Sequence, residues 1–137
     1  MHVYLSYSAE KDKDLVKKIT QCLRESNFEV WSAANIIPGE NWAEVTSQAL
    51  KKSDAMVVLL NEESVNSHQV RNDIAYALGG TTFSGRLIPV ITSESVPMEK
   101  IPWILRGAPF ELIRLPSNGS RDDGIKQIIN TLKKNAA

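Results

Sequence analysis

Apolar strand-like runs and amphipathic helical stripes alternate along the whole chain. Short apolar or alternating runs are typical of strands, whereas apolar residues spaced three and four apart indicate helices. Five strands are predicted in this way, at residues 2–7, 28–32, 55–60, 87–91 and 110–115. Strands that alternate with helices are typical of a parallel sheet covered on both faces. We therefore predict an α/β fold built on a five-stranded parallel sheet.

Five helices are predicted between and after these strands. The first carries the apolar stripe Leu15, Val16, Ile19, Cys22 and Leu23. The second is marked by Trp42, Val45, Ala49 and Leu50, and the last by Ile125, Ile128, Ile129 and Leu132. The third runs to Leu78 and is closed by Gly79 and Gly80, because glycine readily takes the left-handed conformation that ends helices. A short turn at residues 103–105 is the fourth.

The amino-acid composition mainly excludes several classes of protein. The 137 residues contain 42% hydrophobic and 23% charged side chains without a linker or repeat, so a single domain over residues 1–137 is expected. No apolar run approaches the ~18 residues of a membrane span, and no signal peptide is recognisable, so we expect a cytoplasmic protein without a membrane partner. The formal net charge of zero argues against direct nucleic-acid binding. The one cysteine, Cys22, is expected to be a buried apolar residue.

Polar side chains gather in the loops that follow the strands. Ligands of open parallel sheets bind beyond the carboxyl ends of the strands, near helix N-termini. The loops contribute Ser6, Tyr7 and Ser8, then residues 35–42 and 61–67, and finally Thr92 and Ser93. Helix caps and turns are polar as well, so the density of these residues alone does not establish a site.

The third helix carries the carboxylate of greatest interest. Its predicted buried stripe consists of Val70, Ile74, Ala77 and Leu78. At 100° per residue, Gln69, Asp73 and Tyr76 lie together on one flank of that stripe. We therefore expect Asp73 to be half-buried at the border between the core and the cleft. A carboxylate there can stabilise a developing cation or bind ribose hydroxyls, but acids at such borders are also often solvated or ion-paired.

Signatures of several other chemistries are missing. The sequence contains no P-loop, no GxGxxG after the first strand, and no HExxH, CxxC or GxSxG motif. His2 and His68 are isolated, so neither a metal site nor a histidine-based triad is expected. A phosphoacceptor receiver domain has the same alternating pattern but needs paired acids after the first strand and an Asp after the third. Tyr7, Ser8 and Asn61 stand at those positions, which disfavours that class.

Five segments, in order and spacing, resemble the boxes of Toll/interleukin receptor (TIR) domains. They are residues 3–8 (VYLSYS, the opening box), 28–31 (FEVW), 37–42 (IPGENW, the BB loop), 53–60 (SDAMVVLL) and 87–91 (LIPVI). The resemblance extends from Val3 to about Leu115 and implies a flavodoxin-like sheet. It also implies that Pro89 belongs inside the fourth strand, whereas the pattern alone favours an edge or irregular position.

The resemblance to TIR domains implies two alternative functions. Many TIR domains cleave the nicotinamide–ribose bond of NAD+, whereas others are scaffolds that assemble with one another. The enzymes carry a glutamate in an S-x-W-V-x-x-E pattern on the third helix, and the matching stretch here is residues 67–73 (SHQVRND). Gln69 therefore stands in place of the tryptophan and Asp73 in place of the glutamate. On this resemblance, Asp73 is the predicted catalytic carboxylate.

The resemblance also implies a nucleotide pocket and an assembly surface. The predicted pocket residues are Tyr7, Ser8, Trp31, Asn35 and Gln69, and the predicted assembly residues of the BB loop are Ile36, Ile37, Pro38, Gly39 and Trp42. The expected protein is a bacterial-type TIR NAD+ nucleosidase of immune or antiphage signalling, activated by self-association, with other domains or chains of a defence system as further partners. NAD+ is then the substrate, and neither a cofactor nor a metal is expected. The alternative is a non-catalytic scaffold that assembles through its BB loop.

Overall fold

Strands and helices alternate in the computed structural model, which describes residues 2–8, 13–32, 39–79, 86–93, 96, 98–101, 112–115 and 122–136. The strands are β1 (His2–Ser6), β2 (Glu29–Ser32), β3 (Ala55–Leu60), β4 (Leu87–Ile91) and β5 (Ile113–Arg114). The helices are α1 (Lys13–Glu25), α2 (Trp42–Lys52), α3 (His68–Gly79) and α4 (Asp122–Ala136). Short 3₁₀ turns at Ser64–Asn66 and Met98–Lys100 precede α3 and follow β4.

The five strands form one parallel sheet in the order β2-β1-β3-β4-β5. This is the strand order of flavodoxin-like folds. All six residues of β3 are buried, because the strand lies between β1 and β4 and is covered on both faces. The predicted five-stranded parallel α/β sheet is therefore confirmed.

Two apolar cores lie on opposite faces of the sheet. The odd-numbered residues of β3 pack with α1 and α4, whereas its even-numbered residues pack with α2 and α3. Successive side chains of a strand point to opposite faces, so the run AMVVLL supplies both cores. Since α2 and α3 each follow a parallel strand on the same face, both helices begin at the carboxyl edge of the sheet.

Pro89 lies inside β4, which is an interior strand. Thr92 N donates to Leu60 O, so even-numbered positions of this segment bond to β3. Leu115 N donates to Ile91 O, so odd-numbered positions face β5. The Pro89 nitrogen therefore faces the side of β5, whose described pairing begins one residue later. The edge position that the pattern favours is wrong, because a missing N–H on that side leaves the β3–β4 ladder intact.

Several element boundaries differ from the prediction. β1 ends at Ser6 rather than at residue 7, and α3 includes Gly79 as its last residue. Residues 103–105 and the start of the predicted strand at 110–111 lie outside the described residues. Cys22 is partly exposed instead of buried, because it lies at the border of the apolar stripe of α1. Within the described part of the chain, no helix is both long and apolar enough to cross a membrane.

The buried face of α2 differs most from the prediction. Ala49 and Leu50 are buried as expected, but Trp42 is 48% exposed and Val45 is only partly buried. Thr46 takes the buried position instead, at 6% exposure. The first turn of α2 therefore presents a polar side chain, rather than an apolar one, to the interior.

A truncation in β3 tests the central position of this strand. Leu59 is fully buried, so Leu59→Ala should lower the free energy of unfolding by about 2–5 kcal/mol, measured by urea denaturation. Leu78→Ala is the matched control on α3, and it should lose less than half as much, because Leu78 is partly exposed and alanine favours the helix. Equal losses for the two variants would contradict the assignment of β3 to the centre of the sheet.

Candidate functional site

The Asp73 side chain is buried beneath the carboxyl edge of the sheet. It extends from the second turn of α3 and is 2% exposed, whereas the sequence predicts a half-buried position. The prediction is wrong in degree because α3 lies directly over the even-numbered side chains of β1, which close over the carboxyl group. An ionised carboxylate in such a position requires hydrogen-bond partners.

Three donors hold the Asp73 carboxyl group. Its Oδ1 accepts hydrogen bonds from Gln69 Nε2 at 2.9 Å and from the Tyr4 hydroxyl at 3.3 Å. Its Oδ2 accepts a hydrogen bond from Ser6 Oγ at 2.8 Å. Tyr4 and Ser6 are two positions apart on β1 and so share a face, and Gln69 lies one turn before Asp73 on α3. A strand and a helix together therefore fix both carboxyl oxygens.

Burial changes the acidity of this cluster. It raises the pKa of the Asp73 carboxyl group, and the hydrogen bonds from Ser6, Gln69 and Tyr4 offset part of that rise. Burial, together with the neighbouring Asp73, also raises the pKa of the Tyr4 phenol, which therefore stays protonated as a donor. A carboxyl group with a raised pKa beside a cleft is a common feature of functional sites.

Gln69 connects this cluster to α2. Its Nε2 donates to Asp73, while its Oε1 accepts a hydrogen bond from Trp42 Nε1 at 3.3 Å. Trp42 is itself anchored at the start of α2, where the Asn41 side chain caps the helix by accepting from Glu44 N at 3.1 Å. Because both ends of the amide are engaged, the orientation of Gln69 is set by its two partners.

An aromatic pair forms one wall of the site. Tyr4 and Trp31 lie opposite each other on β1 and β2, and their rings stack with centroids 5.0 Å apart and planes at 26°. Trp31 is a predicted pocket residue, but Tyr4 is a functional candidate that sequence reasoning missed. Tyr4 lies inside a buried strand, where the sequence pattern predicts that an aromatic side chain belongs to the apolar core. The only available signal was its spacing of two from Ser6.

These side chains line a cleft of about 200 Å³ at the carboxyl ends of β1 and β2. The predicted site residues Tyr7, Ser8, Trp31, Gln69 and Asp73 all line it, and so does Trp42. The Ser8 hydroxyl additionally donates to Glu63 Oε2 at 3.4 Å. Tyr76, which the helical spacing groups with Asp73, does not line the cleft and is 41% exposed, because it lies farther round α3.

Two residues of the predicted BB-loop set, Gly39 and Trp42, belong to the described part of the chain. The predicted pocket residue Asn35 and the predicted BB-loop residues Ile36, Ile37 and Pro38 lie outside it. Gly39 is described and has a φ of +95°, which glycine adopts without strain. Trp42, the last of the set, is the exposed side chain at the start of α2.

A larger groove of about 460 Å³ lies between α3 and residues 99–101. Most of its lining is apolar, and Arg71 at its rim donates through Nε to Val65 O at 3.1 Å. Among its described lining residues there is no cluster of convergent polar groups comparable to that around Asp73. In the described portion of the chain, no group of three or more His, Cys, Asp and Glu side chains could hold a metal ion.

Comparison with known proteins identifies related sequences and folds. A family model described as TIR domain matches residues 3–129. No curated protein matches the sequence significantly. A metazoan TIR-STING receptor from C. gigas, in complex with 2′,3′-cGAMP, is similar with a TM-score of 0.70 and 23% identity over 92% of this chain. The chain spans only 38% of that receptor.

Two further solved structures match over nearly their whole length. The TIR domains of the activated Roq1 resistosome, which recognises the pathogen effector XopQ, are similar with a TM-score of 0.73 and 15% identity, covering 94% of this chain and 97% of that one. The Clostridium botulinum CMP N-glycosidase BcmB has a TM-score of 0.63 and 17% identity, with 95% and 98% covered. At these identities the likeness shows a shared fold.

Replacing the buried charge tests the electrostatics of the site. A raised folded-state pKa means that Asp73 favours folding most below its unfolded pKa of about 3.9, and that this contribution is lost as pH rises through the folded-state pKa. We therefore expect Asp73→Asn to have a Tm equal to or above that of the parent at pH 7. The difference should shrink as the pH falls towards 4 in thermal denaturation.

The control for this measurement is Asp14→Asn, which changes an exposed acid on α1. Its Tm difference from the parent should be small, as for most surface substitutions. An Asp73→Asn variant much less stable than the parent at pH 7 would contradict the prediction, because the hydrogen bonds to the carboxylate would then outweigh its desolvation.

Proposed function

The chain belongs to the TIR domain family, and on that premise we propose that it is an NAD+ nucleosidase that cleaves the nicotinamide–ribose bond. The enzyme acts in the cytoplasm in immune or antiphage signalling, after self-association of the domain. One observation carries the proposal: a buried carboxylate with three fixed donors lies in a cleft beside a stacked aromatic pair. Asp73 is the catalytic residue in this proposal.

The proposed reaction suits a site with a single carboxylate. In NAD+ the nicotinamide nitrogen carries a positive charge, so the electron pair of the broken C–N bond leaves with the base and neutralises it. The leaving group therefore needs no proton, unlike the sugar oxygen of a glycoside, whose cleavage uses two carboxyl groups. Asp73 stabilises the positive charge that develops on the ribose. Water or another nucleophile then forms a bond to the anomeric carbon, and the proton that the nucleophile loses passes to solvent.

The fixed geometry of Asp73 supports this role. Electrostatic stabilisation is most effective when the charged group needs no reorganisation during the reaction. Gln69 and Ser6 hold different oxygens of the carboxylate at 2.9 and 2.8 Å, so both are oriented before any ligand arrives. This support matters because aspartate is one methylene shorter than the glutamate of the resembling enzymes, and displacements of about 1 Å can cost roughly 10²-fold in rate.

The aromatic wall supports recognition of a nicotinamide ring. The resembling enzymes carry a tryptophan where this chain has Gln69, so an apolar surface is missing at that position. The partly exposed ring of Trp31, which is backed by the buried ring of Tyr4, offers a surface of the same kind within the same cleft. Tyr7 and Ser8 line the cleft and complete the proposed nucleotide contacts. Asn35 is proposed as a further contact from the sequence resemblance alone.

One solved relative is named for a reaction of the same class. BcmB is described as a CMP N-glycosidase, and hydrolysis of such a bond also separates a base from a ribose. The shared fold therefore accommodates N-glycosidic chemistry on a nucleotide. This supports the reaction class, while the assignment of NAD+ as substrate depends on the resemblance of the sequence boxes.

A second candidate function is a scaffold without catalysis. Trp42 is 48% exposed at the start of α2, directly after the predicted assembly loop, and exposed large apolar side chains mark contact surfaces. In this alternative the BB loop recruits another TIR domain, and the Asp73 cluster has only a structural role. Trp42 also lines the cleft, so a subunit seated there would cover the proposed active site in the enzyme reading.

Loss of the carboxylate tests the enzyme proposal. Asp73→Asn and Asp73→Ala should lower nicotinamide release from NAD+ by at least about 10²-fold, because the cation loses its stabilising charge. Chromatography should follow NAD+, nicotinamide and the second product over hours at high protein concentration with a crowding agent. Asp14→Asn is the matched control and should keep the parent rate.

Assembly is monitored in the same samples by light scattering. The two Asp73 variants should assemble like the parent, since the carboxylate is buried away from the surface. NAD+ that stays intact while the parent is assembled would reject the enzyme and favour the scaffold.

A charge in the BB loop tests self-association. We expect Ile37→Asp to abolish assembly in light scattering and size-exclusion chromatography, because a charged group at an apolar contact must be desolvated. Nicotinamide release should fall with it if the nucleosidase requires assembly. An unchanged oligomer profile for a folded Ile37→Asp protein would remove the BB loop from the interface.

A further inference from the structure

The Thr46 side chain contains the one buried side-chain polar atom without a hydrogen-bond partner among the described residues. The residue is 6% exposed on α2, and its Oγ1 is inaccessible to solvent. A buried hydroxyl group left unpaired lowers the stability of the fold, because its desolvation is not compensated. Unsatisfied groups of this kind are rare in folded proteins, so each one requires an explanation.

Two other buried hydroxyl groups, on or next to helices, are satisfied by a carbonyl of their own helix. Thr131 Oγ1 donates to Gln127 O at 2.8 Å within α4, and Ser53 Oγ donates to Ala49 O at 2.7 Å at the end of α2. Both bonds reach the carbonyl four residues earlier, which is the usual solution for a hydroxyl group in a helix. Thr46 has no such bond, although it lies within α2.

Thr46 lies on the cleft side of α2. It is one helical turn after Trp42, and both residues line the cleft. Asp73 is likewise one turn after Gln69 on α3, and Trp42 is hydrogen-bonded to Gln69 across the gap between the two helices. Thr46 and Asp73 thus line the same cleft from two different helices, each one turn farther along its helix than the residue of the Trp42–Gln69 pair.

We propose that the Thr46 hydroxyl group binds the nucleotide in this cleft, which Asp73 also lines, through a ligand group that both donates and accepts hydrogen bonds. Threonine in a helix has two accessible χ1 rotamers, so the hydroxyl group can turn to a ligand without a backbone movement. The ligand then supplies the partner that the free fold lacks. The identity of the ligand rests on the proposed NAD+ nucleosidase function.

Next to the scissile bond, two parts of NAD+ offer a group that both donates and accepts hydrogen bonds. One is a hydroxyl group of the ribose beside the scissile bond, and the other is the carboxamide of the nicotinamide. ADP-ribose contains the ribose without the nicotinamide, and free nicotinamide contains the carboxamide without the ribose. Binding of these two probes therefore distinguishes the two sources.

The experiment compares the parent with Thr46→Val and Thr46→Ser. Valine has nearly the same shape but no hydroxyl group, and serine restores the hydroxyl group. Calorimetry should give Kd for NAD+ (using Asp73→Asn as the common background to prevent turnover), ADP-ribose and nicotinamide. Thermal denaturation without ligand should give Tm. Steady-state kinetics should give kcat and KM for the parent and the two Thr46 variants with Asp73 intact.

We expect Thr46→Val to weaken NAD+ binding by about 3- to 10-fold, as for the loss of one neutral hydrogen bond. KM should rise with it, and kcat should change less. The Tm of the ligand-free valine variant should equal or exceed that of the parent, because the unpaired hydroxyl group is gone. Serine should restore the affinity. If Thr46→Val raises the Kd of ADP-ribose but not that of nicotinamide, Thr46 contacts the ribose. If it raises the Kd of nicotinamide but not that of ADP-ribose, Thr46 contacts the carboxamide.

Several results would overturn the assignment. If Thr46→Val lowers Tm and leaves all three affinities unchanged, the fold itself pairs the hydroxyl group. A serine variant as weak as the valine variant would mean that shape, not hydrogen bonding, governs the effect. Absence of binding of every probe to the parent would reject both this inference and the proposed function.

The remaining outcomes separate the two proposals. If the parent releases no nicotinamide but binds NAD+ more tightly than Thr46→Val does, the nucleosidase proposal is rejected and the Thr46 contact stands. If the parent cleaves NAD+ and Thr46→Val changes neither KM nor the affinities, the nucleosidase proposal stands and the Thr46 contact is rejected.

Discussion

The candidate site depends on the burial of the Asp73 carboxyl group against β1. A carboxylate removed from water is strongly destabilising unless donors replace its solvation. Here Tyr4 and Ser6 provide two of the three donors, and they are 69 and 67 residues away from Asp73 in the sequence. Burial of the carboxylate is therefore tolerated because the packing of α3 against β1 also brings these donors to it.

The topology of the sheet explains why the other parts of the site meet there. Helices α2 and α3 cover the face on which Tyr4 lies, and both begin at the carboxyl edge. Trp42 and Gln69 therefore approach each other from the first turns of two neighbouring helices, while Trp31 reaches the ring of Tyr4 from the adjacent strand. Residues 4, 31, 42 and 69 are distant along the chain and are brought together by parallel strands and their connecting helices.

The two departures from the resembling enzymes are structurally linked. Gln69 and Asp73 form a hydrogen bond across one turn of α3, and the other end of the Gln69 amide accepts from Trp42. A tryptophan at position 69 has no acceptor and so would be unable to bridge its neighbours in this way. The glutamine thus orients the shorter carboxylate, while Trp31, stacked on the buried ring of Tyr4, supplies an aromatic surface elsewhere in the cleft. The residues at positions 69 and 73 are therefore compatible with each other in this site.

The sequence alone determined the five parallel strands, the positions of the main helices and the grouping of Gln69 with Asp73, because these follow from local periodicity. The family boxes added Trp31 and the loop after β2. The tertiary structure alone decided how deeply Asp73 is buried, that Tyr4 and Ser6 bind it, and that Thr46 rather than Trp42 faces inward. Periodicity specifies which face of an element is apolar, whereas burial and hydrogen bonding between distant segments depend on how those faces pack, and that is defined only once the sheet and its helices are assembled.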